Sequence, residues 1–304
     1  MSRRKSGLNI HGVVLLDKPV GISSNRALQK VRGIFQARKA GHTGSLDPFA
    51  TGMLPICLGE ASKTAAFMLQ AGKKYRATAK LGKATTTGDI EGEPIQTCPV
   101  PEIKEEDLRK VLAGFVGDIE QVPPMYSALK HQGKPLYEYA RAGIEIERPA
   151  RPVTIHELDL VSWQAPELVF DVRCSKGTYI RTLGEDIAKA LDSCAYLTGL
   201  HRFYVEPFED QPMVSLEELQ FARESGVLEQ QLLPVDVGLP SWPIIELDDE
   251  QQSKFANGNQ FAYSTDIYKS GQARVYGQDQ NLLGLAELSE DGIAHPSRVF
   301  NLDS

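Results

Sequence analysis

Two hydrophobic periodicities occur side by side in this chain and restrict the folds open to it. Residues 74–81 alternate between apolar and polar side chains, which predicts a half-buried strand with Tyr75 on its inward face. Residues 108–115 and 180–191 carry apolar side chains three and four residues apart, which predicts helices that face a core. No internal repeat accompanies these patterns, so the sequence predicts a non-repeating α+β fold.

Local start and stop signals place further elements along the chain. A serine, either Ser23 or Ser24, is expected to cap an early helix, and capping boxes at Ser215 and Asp248 are expected to open two later ones. The other predictions are strands at 13–16, 273–276 and 282–288, a helix at 61–69 and a hairpin of residues 153–163 with 168–174. The last sixty or so residues are expected to form a small β-rich module.

A run of residues from Gly41 to Leu54, GHTGSLDPFATGML, holds one carboxylate, Asp47, in a strongly restricted backbone. Glycines at 41, 44 and 52 can take positive φ, while Pro48 fixes its own φ and favours extended geometry at Asp47. Such rigid loops often present a functional side chain. A plain surface turn with a capping aspartate uses the same residues, so these signals alone leave both interpretations open.

Charge is segregated along the chain, although the net charge of the 304 residues is −7. Residues 1–40 hold nine basic side chains and one acidic one, a net charge of +8, whereas residues 241–304 hold four basic and ten acidic ones, a net charge of −6. A solvated face or a disordered arm would explain the basic end. Its helix and its position next to the Asp47 loop favour contact with a polyanion instead.

The four cysteines lie far apart and form no CxxC pair, so we expect them to be reduced in a cytoplasmic protein. No stretch approaches the roughly 20 apolar residues of a membrane span, and none suits a signal peptide. Zinc motifs, GxGxxG, the P-loop and a GxSxG elbow are all missing. The sequence therefore predicts no metal and no cofactor, and it leaves an acid on a rigid loop, a cation and an aromatic ring for chemistry on a sugar or base.

A cation and an aromatic-rich segment supply candidate partners for Asp47. Arg181 falls off the apolar stripe in the first turn of its helix, where the helix dipole disfavours a positive charge, and pairing with a carboxylate would explain that position. An arginine so placed could keep the aspartate ionised by lowering its pKa. Residues 121–152 break the periodicity with prolines and glycines, and they are expected to form an ordered insertion whose tyrosines and basic side chains either contact phosphates and bases or pack locally.

Four motifs, in this order, resemble those of the bacterial tRNA pseudouridine synthase B family. They are LDKPVGISSN, GHTGSLDPFATGMLPICLGEASK, KKYRATAKLG and CSKGTYIRTLGEDIA. The resemblance implies isomerisation of uridine 55 in the tRNA T-loop, without a cofactor, by a catalytic domain with a mixed, largely antiparallel sheet. That domain would cover residues 1–240, with a thumb-like insertion at about 125–150, and a PUA-like RNA-binding domain would cover residues 248–304.

The resemblance also implies roles for individual residues. Asp47 would be the catalytic aspartate, Tyr75 would stack on the flipped base and Arg181 would pair with Asp47. His42 would fill the space that the base leaves, and Leu200 would border the uracil pocket, although His201 beside it stands where arginine is commoner. Tyr179 completes the substrate-binding set. The basic residues expected to contact RNA are Lys18, Arg26, Lys30, Lys130, Lys134 and Arg141.

Other functions remain open at the level of sequence. The chain could be an RNA-binding or tRNA-folding chaperone in which Asp47 is structural, or a synthase subunit that depends on a guide RNA. A complete thumb-like insertion favours a stand-alone monomeric enzyme that binds the tRNA T-arm without a protein partner. Either a covalent adduct or a glycal-type intermediate would suit an aspartate.

Overall fold

The computed structural model describes residues 7–302, so Arg3, Arg4 and Lys5 of the basic N-terminal end lie outside the described residues. The helices are α1 (Ser24–Ile34), α2 (Ala65–Met68), α3 (Glu105–Ala113), α4 (Leu136–Arg141), α5 (Ile180–Ala190), α6 (Leu216–Glu224) and α7 (Asp249–Ala256). Short 3-10 helices cover Gly59–Lys63 and Leu228–Gln231.

The strands fall into two large sheets and two short hairpins. Those of the first half are β1 (Gly12–Lys18), β2 (Ala40–His42), β3 (Thr51–Leu58), β4 (Lys73–Leu81), β5 (Lys83–Thr85), β6 (Pro94–Thr97), β7 (Gly117–Gln121), β8 (Lys130–His131) and β9 (Lys134–Pro135). Those of the second half are β10 (Arg151–Gln164), β11 (Glu167–Cys174), β12 (Ala195–Val205), β13 (Ile244–Leu247), β14 (Phe261–Ala262), β15 (Gly271–Gly277), β16 (Leu282–Leu288) and β17 (Ile293–Val299).

An eight-stranded sheet forms the centre of the fold. Its order is β1-β3-β12-β4-β11-β10-β7, and β2 pairs with β3 at one side. All of these pairings are antiparallel except that of β12 with β3. The prediction of an α+β fold with a mixed, largely antiparallel sheet is therefore confirmed.

The predicted alternation of β4 is present, since every second residue from Lys73 to Leu81 is buried. Helices α3 and α5 cover this face through the stripes that their sequences predicted, including Leu108, Leu112, Leu183 and Ile187. On the other half of the sheet, α1 packs on β1 and β3 through Ala27, Leu28 and Val31. The Asp47 loop links β2 to β3, and its residues Leu46, Phe49 and Ala50 pack in the same cluster as α3 and α5.

A five-stranded sheet in the order β13-β15-β16-β17-β14 forms the predicted β-rich C-terminal part. Both predicted capping boxes are present, one at Ser215 and Glu218 and one at Asp248 and Gln251. This part contacts the rest of the chain near the 3-10 helix Gly59–Lys63, where the Lys63 ammonium donates a hydrogen bond of 2.7 Å to a carbonyl of β17.

Several local predictions are corrected. The helix expected at 61–69 is divided at Thr64, whose hydroxyl donates to the Ala61 carbonyl at 2.8 Å and so competes with regular helix bonding. Gly41 does not need positive φ, since it lies in β2 opposite Cys57, whereas Gly44 and Gly52 have φ of 108° and 97°. Within the predicted insertion, the chain forms the hairpin β8–β9 and the helix α4.

The expectation of four reduced cysteines is wrong for one pair. Cys98 and Cys194 are 96 residues apart in sequence and are joined by a disulfide, because the loop after β6 packs against the start of β12. Spacing alone could not reveal this contact, which depends on the tertiary fold. Cys57 and Cys174 are free and buried. Within residues 7–302, no helix is both long enough and apolar enough to cross a membrane.

Candidate active site

The loop that carries Asp47 is fixed on both sides by distant parts of the chain. The Ser24 hydroxyl, at the start of α1, donates to the Leu46 carbonyl at 2.9 Å and accepts from the Leu46 N–H at 2.7 Å. On the other side of Asp47, the Gly21 N–H donates to the Pro48 carbonyl at 2.8 Å. The backbone at Asp47 is thus held through both of its neighbours by bonds that the sequence pattern did not predict.

Arg181 lies at the centre of the polar network around Asp47. Its Nε is 3.1 Å and its Nη2 is 3.4 Å from the two oxygens of the Asp47 carboxylate. Its Nη1 contacts Asp89 at 3.2 Å and the Thr87 carbonyl at 2.8 Å, while Nη2 also donates to the Tyr126 carbonyl at 2.8 Å. The predicted pairing is therefore present, and the helix-dipole cost is offset by two carboxylates.

The two members of this ion pair differ in exposure. The side chain of Arg181 is 6% exposed, whereas that of Asp47 is 36% exposed and so remains open to a substrate. Burial raises the pKa of Asp47, the Arg181 guanidinium lowers it and the nearby Asp89 charge raises it again. The arginine acts in the direction that its position suggested, but the effect of burial is larger, and the pKa of Asp47 is raised.

Tyr75 and Leu200 lie beside this network in one apolar cluster. They are 7% and 8% exposed, and they pack in the same cluster as Leu46 and Phe49, which flank Asp47. Their strands β4 and β12 are neighbours, with Leu200 opposite Ala77. Burial raises the pKa of the Tyr75 phenol, so the ring is neutral at ordinary pH. The structure thus brings Asp47, Arg181, Tyr75 and Leu200 together.

Arg202 is a site residue that the sequence analysis missed. It is 1% exposed, and its Nε donates to the Met53 carbonyl at 2.7 Å while its Nη2 donates to the Gly44 carbonyl at 3.2 Å. Its guanidinium carbon also lies 6.0 Å from the centre of the Tyr75 ring. Arg202 follows Leu200 by two residues in a strand, so both side chains point to the same inward face. That spacing was the signal that could have revealed it.

His42 and Tyr179 flank the central cluster. His42 ends β2, and its Nδ1 is buried without a hydrogen-bond partner among residues 7–302. Burial lowers the pKa of His42, with a smaller contribution from Arg202, so its ring is neutral near pH 7. Tyr179 is the residue that precedes α5, two positions before Arg181. Their contacts with a substrate remain predictions.

Lys18 is not available for the RNA contact that was predicted for it. The residue is fully buried, and its ammonium donates to the carbonyls of Pro19 at 2.9 Å, Ile22 at 2.8 Å and Pro48 at 3.4 Å. Burial lowers its pKa to about 8. Lys18 therefore supports the Asp47 loop from inside the protein, because the strand predicted at 13–16 continues through this residue.

The other predicted RNA contacts are exposed. Arg26 and Lys30 lie on the outer side of α1, and Lys130, Lys134 and Arg141 lie in the thumb segment, which is defined here as residues 125–150. Two of these cations lie over tyrosine rings, Lys134 over Tyr139 at 5.0 Å and Arg141 over Tyr137 at 5.3 Å. Local packing of these tyrosines is thus observed, and both cations still reach solvent.

Residues 7–302 contain no cluster of three or more His, Cys, Asp or Glu side chains placed to hold a metal ion. The chemistry that the described side chains offer is that of a carboxylate, held by a guanidinium, beside an aromatic ring. A carboxylate of this kind can act as a nucleophile or as a base.

The fold resembles solved structures over nearly the whole chain. A chain in "Crystal Structure of a Cbf5-Nop10-Gar1 Complex" matches with a TM-score of 0.73 and 25% identity, covering 96% of this chain and 85% of that one. A chain in "Structure of H/ACA RNP bound to a substrate RNA containing 2'-deoxyuridine" matches with a TM-score of 0.72 and 22% identity, covering 100% and 92%. These matches show that the fold is shared with both of those chains over most of their length.

Sequence comparison gives the particular family. The models of the TruB family pseudouridylate synthase N-terminal domain, the tRNA pseudouridylate synthase B C-terminal domain and the pseudouridine synthase II TruB C-terminal domain match residues 32–180, 181–240 and 243–300. The chain is 49% identical over 306 residues to tRNA pseudouridine synthase B of Mannheimia succiniciproducens, covering 99% of this chain and 100% of that one. With the corresponding protein of Nitrosococcus oceani it shares 50% identity over 300 residues, covering 98% and 97%. The chain therefore belongs to the tRNA pseudouridine synthase B family.

Proposed function

We propose that this enzyme converts uridine 55 in the T-loop of tRNA to pseudouridine, and that Asp47 is its catalytic residue. The observation that carries the proposal is the carboxylate of Asp47, which is 36% exposed and is held at 3.1 Å by a nearly buried arginine. An acid fixed in this way is oriented before the substrate arrives, so little of the binding energy is needed to order it. The family to which the chain belongs supplies the reaction class.

The reaction needs no external reagent, because product and substrate are isomers. The bond from ribose C1′ to uracil N1 breaks, the uracil turns, and C1′ bonds to uracil C5, which then loses its proton while N1 gains one. Asp47 would either attack C1′ or remove a ribose proton while the first bond breaks. In both schemes its carboxylate must be ionised at the start, which gives the Arg181 contact a chemical purpose.

The target uridine must leave the stack of the folded loop before Asp47 can reach its ribose. Tyr75 would provide an aromatic surface for the flipped base, Leu200 would border it, and the neutral ring of His42 would occupy the vacated space. Tyr179 would contact the substrate beside Arg181. Stacking on an aromatic side chain contributes about 1–3 kcal/mol per base, which would offset part of the cost of flipping.

RNA outside the target nucleotide would be held by two exposed basic surfaces. One consists of Arg26 and Lys30 on α1, and the other is the thumb segment with Lys130, Lys134 and Arg141. Both can neutralise phosphates of the T-arm. Residues 248–304 would add a PUA-like RNA-binding domain to the catalytic domain of residues 1–240. We further propose that the enzyme acts in the cytoplasm as a monomer, without a protein partner.

The test compares the wild-type enzyme with Asp47→Asn on a T-arm hairpin that carries tritium at C5 of the target uridine. Tritium release measures isomerisation, and a filter-binding assay measures affinity. We expect the variant to lose turnover and to keep its affinity within a few fold, because the substitution preserves size and removes only the charge. Unchanged turnover in the variant would refute the catalytic assignment.

The same bare hairpin distinguishes the alternatives that the sequence left open. A chaperone would bind the hairpin without releasing tritium, and a guide-dependent subunit would release tritium only after addition of a guide RNA. Turnover by the purified chain alone would support the stand-alone enzyme. Monomeric behaviour is checked by light scattering during size-exclusion chromatography, where a stable dimer would contradict it.

A further inference from the structure

Gln121 is a buried polar residue to which the mechanism above assigns no function. It is the last residue of β7 and is 2% exposed. Its side-chain oxygen accepts a hydrogen bond from the Tyr179 N–H at 3.0 Å, and its side-chain nitrogen donates to the Tyr179 carbonyl at 3.3 Å. One carboxamide thus satisfies both backbone polar groups of a single residue that lies 58 positions away in sequence.

Tyr179 is the residue at which helix α5 begins. The Tyr179 carbonyl accepts the first hydrogen bond of the helix, from the Leu183 N–H at 3.0 Å, and the Tyr179 side chain forms no cap. Gln121 therefore satisfies the Tyr179 N–H, which has no partner within the helix, and it fixes the residue from which the first turn starts. Arg181 lies in that turn, so its guanidinium is placed by the same contact.

The thumb segment begins shortly after Gln121 and contacts Arg181. The chain leaves β7 directly after Gln121, and five residues later the Tyr126 carbonyl accepts from Arg181 Nη2 at 2.8 Å. The next residue, Ser127, accepts a bond of 3.1 Å from the Tyr137 N–H in the first turn of α4. The thumb helix, the Tyr126 carbonyl and Arg181 are thus linked by consecutive short contacts.

We infer that Gln121 is a positioning residue for uridine isomerisation, which holds the start of α5 and the base of the thumb segment together so that Arg181 stays in contact with Asp47. This inference rests on the proposed function. Arg181 divides its donors between Asp47, Asp89 and two carbonyls, so a displacement of the first turn of α5 weakens the Asp47 contact directly. Errors of about 1 Å in such contacts cost up to about 100-fold in rate.

A buried glutamine that serves only the stability of the fold would make the same two hydrogen bonds. The two roles differ in what they do to Asp47. A stability role would lower the melting temperature and leave the remaining folded enzyme with the wild-type dependence of kcat on pH. A positioning role weakens the cation that lowers the pKa of Asp47, so the acid limb of the kcat profile moves to higher pH.

The experiment uses the full chain and the tritiated T-arm hairpin. Gln121→Met has nearly the same length but cannot form either hydrogen bond, and Glu120→Gln changes an exposed neighbour on the same strand as a matched control. We expect Gln121→Met to lower kcat by about 10- to 100-fold. Its KM should stay within about threefold and its acid limb should move upward, whereas Glu120→Gln should match the wild type. A second variant, Gln121→Asn, is too short to reach both groups and should show the same pattern if the methionine variant does not fold.

The outcomes separate the two proposals. A folded Gln121 variant with wild-type kcat, or one whose kcat falls without a shift of the acid limb, would overturn the positioning role while the wild-type turnover still supports the proposed function. A wild-type enzyme that releases no tritium from the hairpin would overturn both.

Discussion

Replacement of Arg181 by lysine tests the ion-pair network around Asp47. The guanidinium makes five contacts, two with the Asp47 carboxylate, one with Asp89 and one each with the carbonyls of Thr87 and Tyr126. Lysine keeps the positive charge but presents one nitrogen with three N–H bonds on a flexible stem. It cannot hold both oxygens of Asp47 and its other partners at once.

The expected loss follows from these contacts. Loss of one charge-assisted hydrogen bond to Asp47 costs about 1.5–3 kcal/mol. If that contact acts on the reacting carboxylate, kcat falls by about 10- to 150-fold, since about 1.4 kcal/mol corresponds to a factor of ten. Arg181 lowers the pKa of Asp47, and a lysine in weaker contact would lower it less. The pKa of Asp47, which burial already raises, would therefore rise further. The ionised form is then lost at a higher pH, and the acid limb of the kcat profile moves upward in Arg181→Lys.

Single-turnover tritium release between pH 5 and 9, with hairpin affinity measured at each pH, would check both effects. Affinity should change little, because Arg181 is 6% exposed and faces Asp47 rather than the surface. Wild-type kcat with an unshifted acid limb would refute the proposal that Arg181 acts through Asp47. A loss confined to affinity would show instead that Arg181 binds RNA.

Three further changes give separate tests. Asp89→Asn removes a charge that raises the pKa of Asp47, so the acid limb of its kcat profile should move to lower pH, opposite to Arg181→Lys. An acid limb that moved to higher pH would contradict the proposed effect of Asp89 on Asp47. Lys30→Gln should reduce the slope of log affinity against log salt by about 1, and an unchanged slope would exclude a phosphate contact by Lys30. Gly52→Ala would place a Cβ 2.2 Å from a backbone oxygen of β12, so denaturant titration should show a larger loss of stability than Gly133→Ala, which shares positive φ but meets no atom within 4 Å. Equal losses would show that φ alone matters.

The elements that periodicity and capping signals define could be predicted from the sequence. The inward face of β4, the stripe of α5 and both capping boxes depend on neighbouring residues only, and all are present. The restricted backbone around Asp47 could also be predicted, because glycine and proline constrain its loop directly, while the catalytic role of Asp47 stays a proposal. Arg181 lies in the first turn of its helix, where the helix dipole disfavours a cation, and this position predicted a carboxylate partner. Asp47 is that partner.

The rest of the site depends on contacts between distant segments, which one sequence does not encode locally. Arg202 reaches the Gly44 carbonyl across 158 residues, and Asp89 reaches Arg181 across 92. Lys18 was expected to contact RNA, but its side chain is buried and three carbonyls accept from its ammonium. The Tyr126 carbonyl could not be identified at all, since a backbone group has no residue type.

Mapping of pseudouridine in total tRNA tests the central claim most directly. Cells that lack this protein would be compared with cells that express the wild-type chain or Asp47→Asn at equal levels. The proposed function predicts that pseudouridine at position 55 disappears without the protein, returns with the wild-type chain and stays absent with the variant. Restoration of the modification by Asp47→Asn would contradict the catalytic assignment, and an unchanged position 55 in cells without the protein would contradict the proposed substrate.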